Sequence, residues 1–226
     1  MEMGFRWDFA YEILPNMLWA TLNTIIAAGV GYAIALVVGL FFLLGQRTPS
    51  KIVNVINREI VEFIRSTPLL IQLFFVYFVL PQFGITLSAW ICGMITIGLH
   101  FGTYLSEVYR GALEGVSKTQ WEAAHALNFS PAKRIKRIII PQIFPIILPP
   151  AANLTVELLK ATALVALVTV VDLTFEAKQI NSITWLSAQC FGTALLIYYI
   201  MARFALVPFL RWLEVLAARK VGRGKA

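Results

Sequence analysis

Residues 17–44 read MLWATLNTIIAAGVGYAIALVVGLFFLL, 28 positions without one Asp, Glu, Lys or Arg. At 1.5 Å per residue, about 20 helical residues cross the ~30 Å hydrocarbon core of a bilayer, so this run spans it with length to spare. Four further apolar runs follow, at 60–80, 85–104, 143–171 and 183–209. The second is interrupted by Glu62, Arg65 and Pro68. It reads as a helix over 51–65 that starts at the interface and dips into the membrane near Pro68, where neighbours re-satisfy the carbonyl that proline frees. The expectation is an all-α integral membrane protein of five transmembrane helices, one domain over 1–226.

Composition agrees. Of 226 residues 59% are hydrophobic and 14% charged, where a soluble domain carries about 25% charged residues. Phe, Ile, Leu and Val are too abundant for a disordered chain. Cys92 and Cys190 make neither a disulfide framework nor a metal-ligand cluster, and His100 and His125 lie 25 residues apart. The N-terminus mixes Glu2, Arg6, Asp8 and Glu12, unlike a signal peptide.

Lys and Arg outnumber Asp and Glu by 19 to 12, and their placement decides what the excess means. Segments 45–58, 110–140 and 211–226 hold 14, whereas 1–14, 81–84 and 172–182 together hold two. The positive-inside rule puts the rich side in the cytoplasm, with the N-terminus outside and the C-terminus inside. The excess is then a topology signal facing anionic lipid, and no nucleic-acid partner is needed.

The long basic connection, 111–140, is the place where the chain presents a structured surface to the cytoplasm. Ser117-Lys-Thr-Gln120 has capping-box spacing, as does the overlapping Thr119-Gln-Trp-Glu122, and Trp121-Glu-Ala-Ala-His-Ala-Leu127 continues with good helix formers. Asn128 suits the left-handed residue that ends a helix. Ser130-Pro131 starts another, carrying Lys133, Arg134, Lys136 and Arg137, which Pro141 is expected to break. Small Ala123, Ala124 and Ala126 beside Trp121 and Glu122 fit a helix that another protein grips in a groove.

Glu122-Ala123-Ala124, with Pro141 beyond a basic stretch, resembles the EAA loop of bacterial ABC importer permeases. The run Arg65-Ser-Thr-Pro-Leu-Leu-Ile-Gln-Leu-Phe-Phe-Val-Tyr-Phe-Val-Leu-Pro81, Glu107-Val-Tyr-Arg-Gly111 and Arg137-Ile-Ile-Ile-Pro-Gln142 resemble the polar amino acid subfamily. The dense similarity runs from Arg65 to Leu173. The resemblance implies a coupling helix between spans 3 and 4, with Trp121, Glu122, Ala123, Ala124, Ala126, Leu127 and Asn128 docking on a cytoplasmic ABC ATPase dimer. It also implies a second permease subunit, identical or homologous, an extracytoplasmic solute-binding protein, and residence in the bacterial cytoplasmic membrane. No cofactor is expected on this chain; ATP and Mg belong to the partner, since no G-x-x-x-x-G-K-[ST] occurs here. The family's Lys-Asp-Thr-Ser-Leu is Lys160-Ala-Thr-Ala-Leu164 in this chain, and Asn128 and Thr119 stand where glycine is usual. Loss of Asp and Ser at Ala161 and Ala163 widens the expected cargo from a polar amino acid to a related zwitterionic compatible solute.

Glu157 sits midway along 143–171, about 21 Å from either end and too deep for a short side chain to reach water. Lys160 and Asn153 share its face. Such a stripe must face protein or a wet cavity, either as a structural ion pair or inter-subunit hydrogen bonds, or as a translocation path in which Asn153, Glu157, Lys160 and Thr162 take part and which Gln72 and Arg65 can join. Arg65 and Pro68 on the second span, and the pair Glu107 and Arg110 at the inner end of the third, read as structural or gating groups. Gly29, Gly31 and Gly39 suggest close helix contact. A proton-coupled secondary transporter using Glu157 is the rival; a membrane enzyme lacks any catalytic cluster.

Overall fold

The structure is a computed structural model that describes residues 5–220. Glu2, Arg223 and Lys225, counted in the charge pattern, lie outside the described residues. Every regular element among the described residues is helical. In chain order they are α1 (Trp7–Gln46), α2 (Lys51–Ser66), α3 (Leu69–Phe83), α4 (Ala89–Glu114), α5 (Lys118–Ala126), α6 (Pro131–Val168), α7 (Leu173–Thr184) and α8 (Ser187–Arg219).

Three of these, α1, α6 and α8, are long and apolar enough to cross a membrane, and the bent pair α2–α3 makes a fourth if counted as one span. Helix α4 has 26 residues, about 39 Å, but Thr96, His100, Thr103 and Ser106 dilute its apolar character. It can carry them because it is the central helix: Thr96, Thr103 and Ser106 are buried, and each returns its hydroxyl to a carbonyl of its own helix at 2.7 Å. The observed helices also outrun the expected spans. Helix α1 begins at Trp7, well before residue 17; α6 begins at Pro131 and α8 continues to Arg219.

Span 60–80 is not one helix. The chain bends by 105° between α2 and α3. Thr67, preceding Pro68, is forced into the extended region (φ −103°, ψ 142°). Two donors meet the carbonyls freed there: Gln72 Nε2 bonds the oxygens of Ile64 (2.6 Å) and Thr67 (3.1 Å) and the Thr67 hydroxyl (2.8 Å), and that hydroxyl donates to the Ile64 oxygen (3.2 Å).

Pro141 does not end a helix either. Of the prolines inside continuous helices, Pro81, Pro141 and Pro208 each follow a π-turn, Phe75–Val79, Ile135–Ile139 and Met201–Leu206, whereas Pro15, Pro145, Pro149 and Pro150 do not. The N–H just before each of the first three bonds five residues back, Leu80 to Phe75, Ile140 to Ile135 and Val207 to Ala202. Proline lacks a donor and collides with the carbonyl four residues earlier; the wider turn moves that carbonyl aside.

The core forms where α1 and α4 meet, joined by α6. Ala27, Ala35, Ile97, Phe101, Leu105, Leu158 and Val165 are among its buried members. At Gly98 and Gly102 of α4, a Cβ would fall 2.6 Å from the Ile34 Cβ and 2.7 Å from the Val38 Cβ, so only glycine allows this approach. Gly31 and Gly39 lie in the same seam, whereas Gly29 meets nothing within 4 Å. A second cluster, Ile13, Met17, Leu173, Ala177, Cys190, Ala194 and Ile197, seats α7 against α1 and α8. The sequence reading had only a connection where α7 lies.

Candidate functional site

Helix α5 stands out from the bundle on the connection between α4 and α6. Its start differs from the expected capping box. The Ser117 side chain does not cap; its oxygen accepts from the Thr119 hydroxyl (3.1 Å), while the Gln120 side-chain Oε1 accepts from Gln142 Nε2 (3.4 Å). The end is fully capped. Asn128 has φ 55°, its N–H bonds the His125 carbonyl (2.9 Å), and the Phe129 N–H bonds that of Ala124 (3.2 Å). This is a Schellman closure with Asn in the left-handed position. Ser130 then opens α6, its Oγ accepting from the Lys133 N–H (3.4 Å) with Pro131 in the first turn. Lys133 Nζ lies over the Phe129 ring at 4.3 Å, stapling the two helices together.

The residues of α5 divide between two faces. Glu122, Ala123 and Ala126 are exposed, as are Leu127, at 67%, and Asn128. Trp121 is half-buried, and Ala124 is 1% exposed, packed against its own chain. Ala124 therefore positions the helix rather than meeting a partner, a correction to its expected contact role.

The connection is braced from behind. Arg110 grips Glu107 Oε2 with Nη2 (2.6 Å) and Nε (3.1 Å), and reaches Glu114 with Nη1 (2.8 Å). Gln46 Nε2 donates to Glu107 Oε1 (3.0 Å), and the Gln46 carbonyl accepts from Asn54. One carboxylate thus ties the end of α4 to the corner between α1 and α2.

The membrane charges are arranged otherwise than expected. Asn153, Glu157 and Lys160 share one face of α6, but that face is exposed on the chain's own surface. With Arg211 and Glu214 of α8 they line a groove of about 560 Å³. Glu157 and Lys160 form no ion pair within 4 Å among the described residues. The reason is geometric: the inner face of α6 is already filled by Ala151, Leu158 and Val165. Charges at this depth stay outside lipid only if something else covers the groove.

Two members of the expected path sit elsewhere. Thr162 is fully buried, its hydroxyl bonded to the Leu159 carbonyl (2.7 Å). Gln72 is committed to the Thr67-Pro68 bend, and its remaining oxygen faces His100 Nδ1 (3.3 Å). Arg65 stacks on Tyr104, 5.0 Å from the ring centroid, and is tied to no carboxylate within 4 Å among the described residues.

Sequence reasoning missed Asp172. Its Oδ1 caps α7 by accepting the Phe175 N–H (2.8 Å), and its Oδ2 accepts the Tyr198 hydroxyl (3.1 Å). Thr24 of α1 supports the same end, its hydroxyl accepting the Leu173 N–H (3.0 Å). Burial pushes the Asp172 carboxyl up to about 6. The signal was present, an Asp three residues before Phe175 at a helix start, but it followed directly on an apolar run and read as loop.

Residues 35–221 match the family model described as binding-protein-dependent transport system inner membrane component. The chain is 36% identical over 192 residues to the probable amino-acid ABC transporter permease y4tG of Sinorhizobium fredii, covering 82% of this chain and 83% of that protein. It is 32% identical to the probable amino-acid ABC transporter permease YckA of Bacillus subtilis, over 91% of each. Among solved structures, an amino acid ABC transporter crystallised with histidines superposes with a TM-score of 0.86 at 28% identity, covering 95% of this chain and 99% of that one. The inward-facing MetNI methionine ABC transporter shares the fold, with a TM-score of 0.63 at 19% identity over 90% of this chain and 97% of that one. A bundle with a capped helix standing clear of it, on a chain that matches these relatives over most of its length, belongs to the permease subunits of the binding-protein-dependent ABC transport systems, inner-membrane components of amino-acid ABC transporters.

Proposed function

We propose that this chain is the translocation subunit of an ATP-driven importer for a polar amino acid or a related zwitterionic solute, with a compatible solute included in that range. It crosses the cytoplasmic membrane five times, counting α2–α3 and α4 as spans, with the N-terminus outside and the C-terminus inside. Helix α5 is the coupling helix. A groove on an ATPase subunit holds its exposed face, and Glu122 pairs with a basic residue there. ATP and Mg are bound by that partner. A second permease subunit, identical or homologous, covers the groove of Asn153, Glu157 and Lys160, and a solute-binding protein delivers cargo from outside. The two permease subunits alternate between inward- and outward-open states.

The observation that carries this reading is the outward face of α5. Glu122, Ala123, Ala126 and Leu127 are exposed together on a short helix, closed at one end by a Schellman motif and stapled to α6. Small side chains allow close approach, and a capped helix transmits displacement without fraying. The experiment is co-purification of the tagged chain with its ATPase from membranes, using Glu122→Ala and Ala126→Arg. Both variants should assemble in the membrane at wild-type levels, lose most of the co-purified ATPase and lose ATP-driven uptake. Full ATPase recovery and full uptake with both variants would refute the coupling role. Uptake by the chain alone, abolished by an uncoupler, would favour proton-coupled transport through Glu157.

A further inference from the structure

Arg65 is a cation without an ion-pair partner among the described residues, although two carboxylates, Glu62 and Glu107, line a polar groove with it. The nearby carboxylate, Glu107, is saturated: Oε2 takes two N–H groups of Arg110 and Oε1 takes Gln46. Arg65 makes no ion pair within 4 Å, and its Nε is buried without a hydrogen-bond partner among the described residues. A half-buried guanidinium whose Nε is sheltered and left unpaired is poised for an anion, and its planar fork matches a carboxylate through two parallel N–H bonds.

It lines a cavity of about 510 Å³, walled by Tyr104, Val108, Ile146, Pro150, Asn153 and Leu154. That volume lies within the 300–1,000 Å³ typical of small-molecule sites, with mostly apolar walls and few polar groups. Asn153 also lines the Glu157–Lys160 groove, so the two spaces meet at one side chain. The cavity's own carboxylate, Glu107, is held by Arg110 and Gln46 and makes no ion pair with Arg65 within 4 Å.

We propose that Arg65 binds the α-carboxylate of the cargo in this cavity, a carboxylate subsite on the Glu107 side of the Glu157 groove. The proposal rests on the amino-acid reading above and adds the residue that recognises the one group every amino acid shares. Lysine in place of Arg65 supplies a point charge without the fork and recovers only part of the binding.

The test uses the purified permease–ATPase complex in phosphatidylcholine nanodiscs, without solute-binding protein. A panel of radiolabelled L-amino acids identifies one that the wild-type complex binds, and its carboxamide is then compared. Arg65→Gln should weaken the acid at least tenfold and the carboxamide less than twofold, with Arg65→Lys between. If Arg65→Gln leaves acid binding intact, or weakens acid and amide equally, the subsite is overturned while the amino-acid reading stands. If the wild-type complex binds no amino acid, both fall. If the variant keeps the amino acid but loses phosphatidylglycerol retained from mixed-lipid nanodiscs, the site belongs to a lipid headgroup and the proposal is overturned.

Discussion

Gly98→Ala adds one methyl group to the seam between α1 and α4, and the geometry sets its cost. The new Cβ would stand 2.6 Å from the Ile34 Cβ, against the ~3.5–4.0 Å at which carbon atoms attract. Ile34 cannot swing clear, since besides its Cγ2, which is nearer still, the obstruction includes the branch point Cβ, which no rotation about χ1 moves. The two helices must separate by about 1 Å, which loosens Ala35, Ile97 and Leu105 along the seam. Overpacking of this kind costs about 1–3 kcal/mol. The assay is reversible unfolding in mixed micelles titrated with sodium dodecyl sulfate, followed by tryptophan fluorescence. Gly29→Ala is the control: nothing lies within 4 Å of its added methyl, so its effect should run from none to a gain of up to ~1 kcal/mol from helix propensity. A double-mutant cycle completes the argument. Removing the obstructing Cβ and the branch it carries with Ile34→Gly should make Gly98→Ala cheaper by at least ~1 kcal/mol, because the two sites share one contact. Strict additivity, or equal losses at Gly29 and Gly98, would refute glycine-limited approach as what holds α1 to α4.

Three further outcomes can be measured. Gln72→Leu removes the donor shared by two carbonyls and a hydroxyl at the Thr67 bend and should cost about 2–3 kcal/mol; His100→Phe, which removes a single contact, should cost less, and the reverse order would be inconsistent with Gln72 as the tie. Folded Asp172 keeps its proton up to about pH 6 against an ordinary value of 3.8, so between those values the native state binds more protons than the unfolded one. Stability therefore falls as pH rises through that window, by up to about 3 kcal/mol, and levels off above it. Asp172→Asn keeps the cap and should flatten the profile of thermal stability between pH 4 and 7; an unaltered slope would exclude Asp172 as its source. Glu157→Gln in a normally assembled transporter should reduce ATP-driven uptake at least tenfold, and unchanged uptake would leave the residue a structural role alone.

The apolar runs located every long helix but not its ends, because a helix continues through charged residues once its apolar part is fixed. Trp7–Asn16 carries Asp8 and Glu12, and Pro131–Arg137 carries four basic side chains, yet both are helical. Asn128 and Ser130-Pro131 were legible because their conformations follow from local sterics. The capping box was not, since the Ser117 hydroxyl is taken by Thr119 and the Gln120 side chain by Gln142, which arrives from another helix. The inward and outward faces of α6 were also closed to one-dimensional reading. Charge alone required Glu157 to avoid lipid, but only the packing of Ala151, Leu158 and Val165 reveals that its face points away from its own bundle. Asp172 was hidden in the same way: α1 and α8, distant in sequence, create the burial that makes it distinctive.

The loosened turn at Ile135–Ile139 has a consequence for angular phase. Winding one extra residue into a turn rotates everything beyond it by about 100° relative to a uniform helix. The azimuth at which Lys133, Arg134 and the appended α5 leave the bundle is therefore fixed by that single supernumerary residue. Losing it would preserve the helix but swing the protruding arm by more than a quarter circle, so the proline at 141 acts as the indexing pin that keeps arm and span in register.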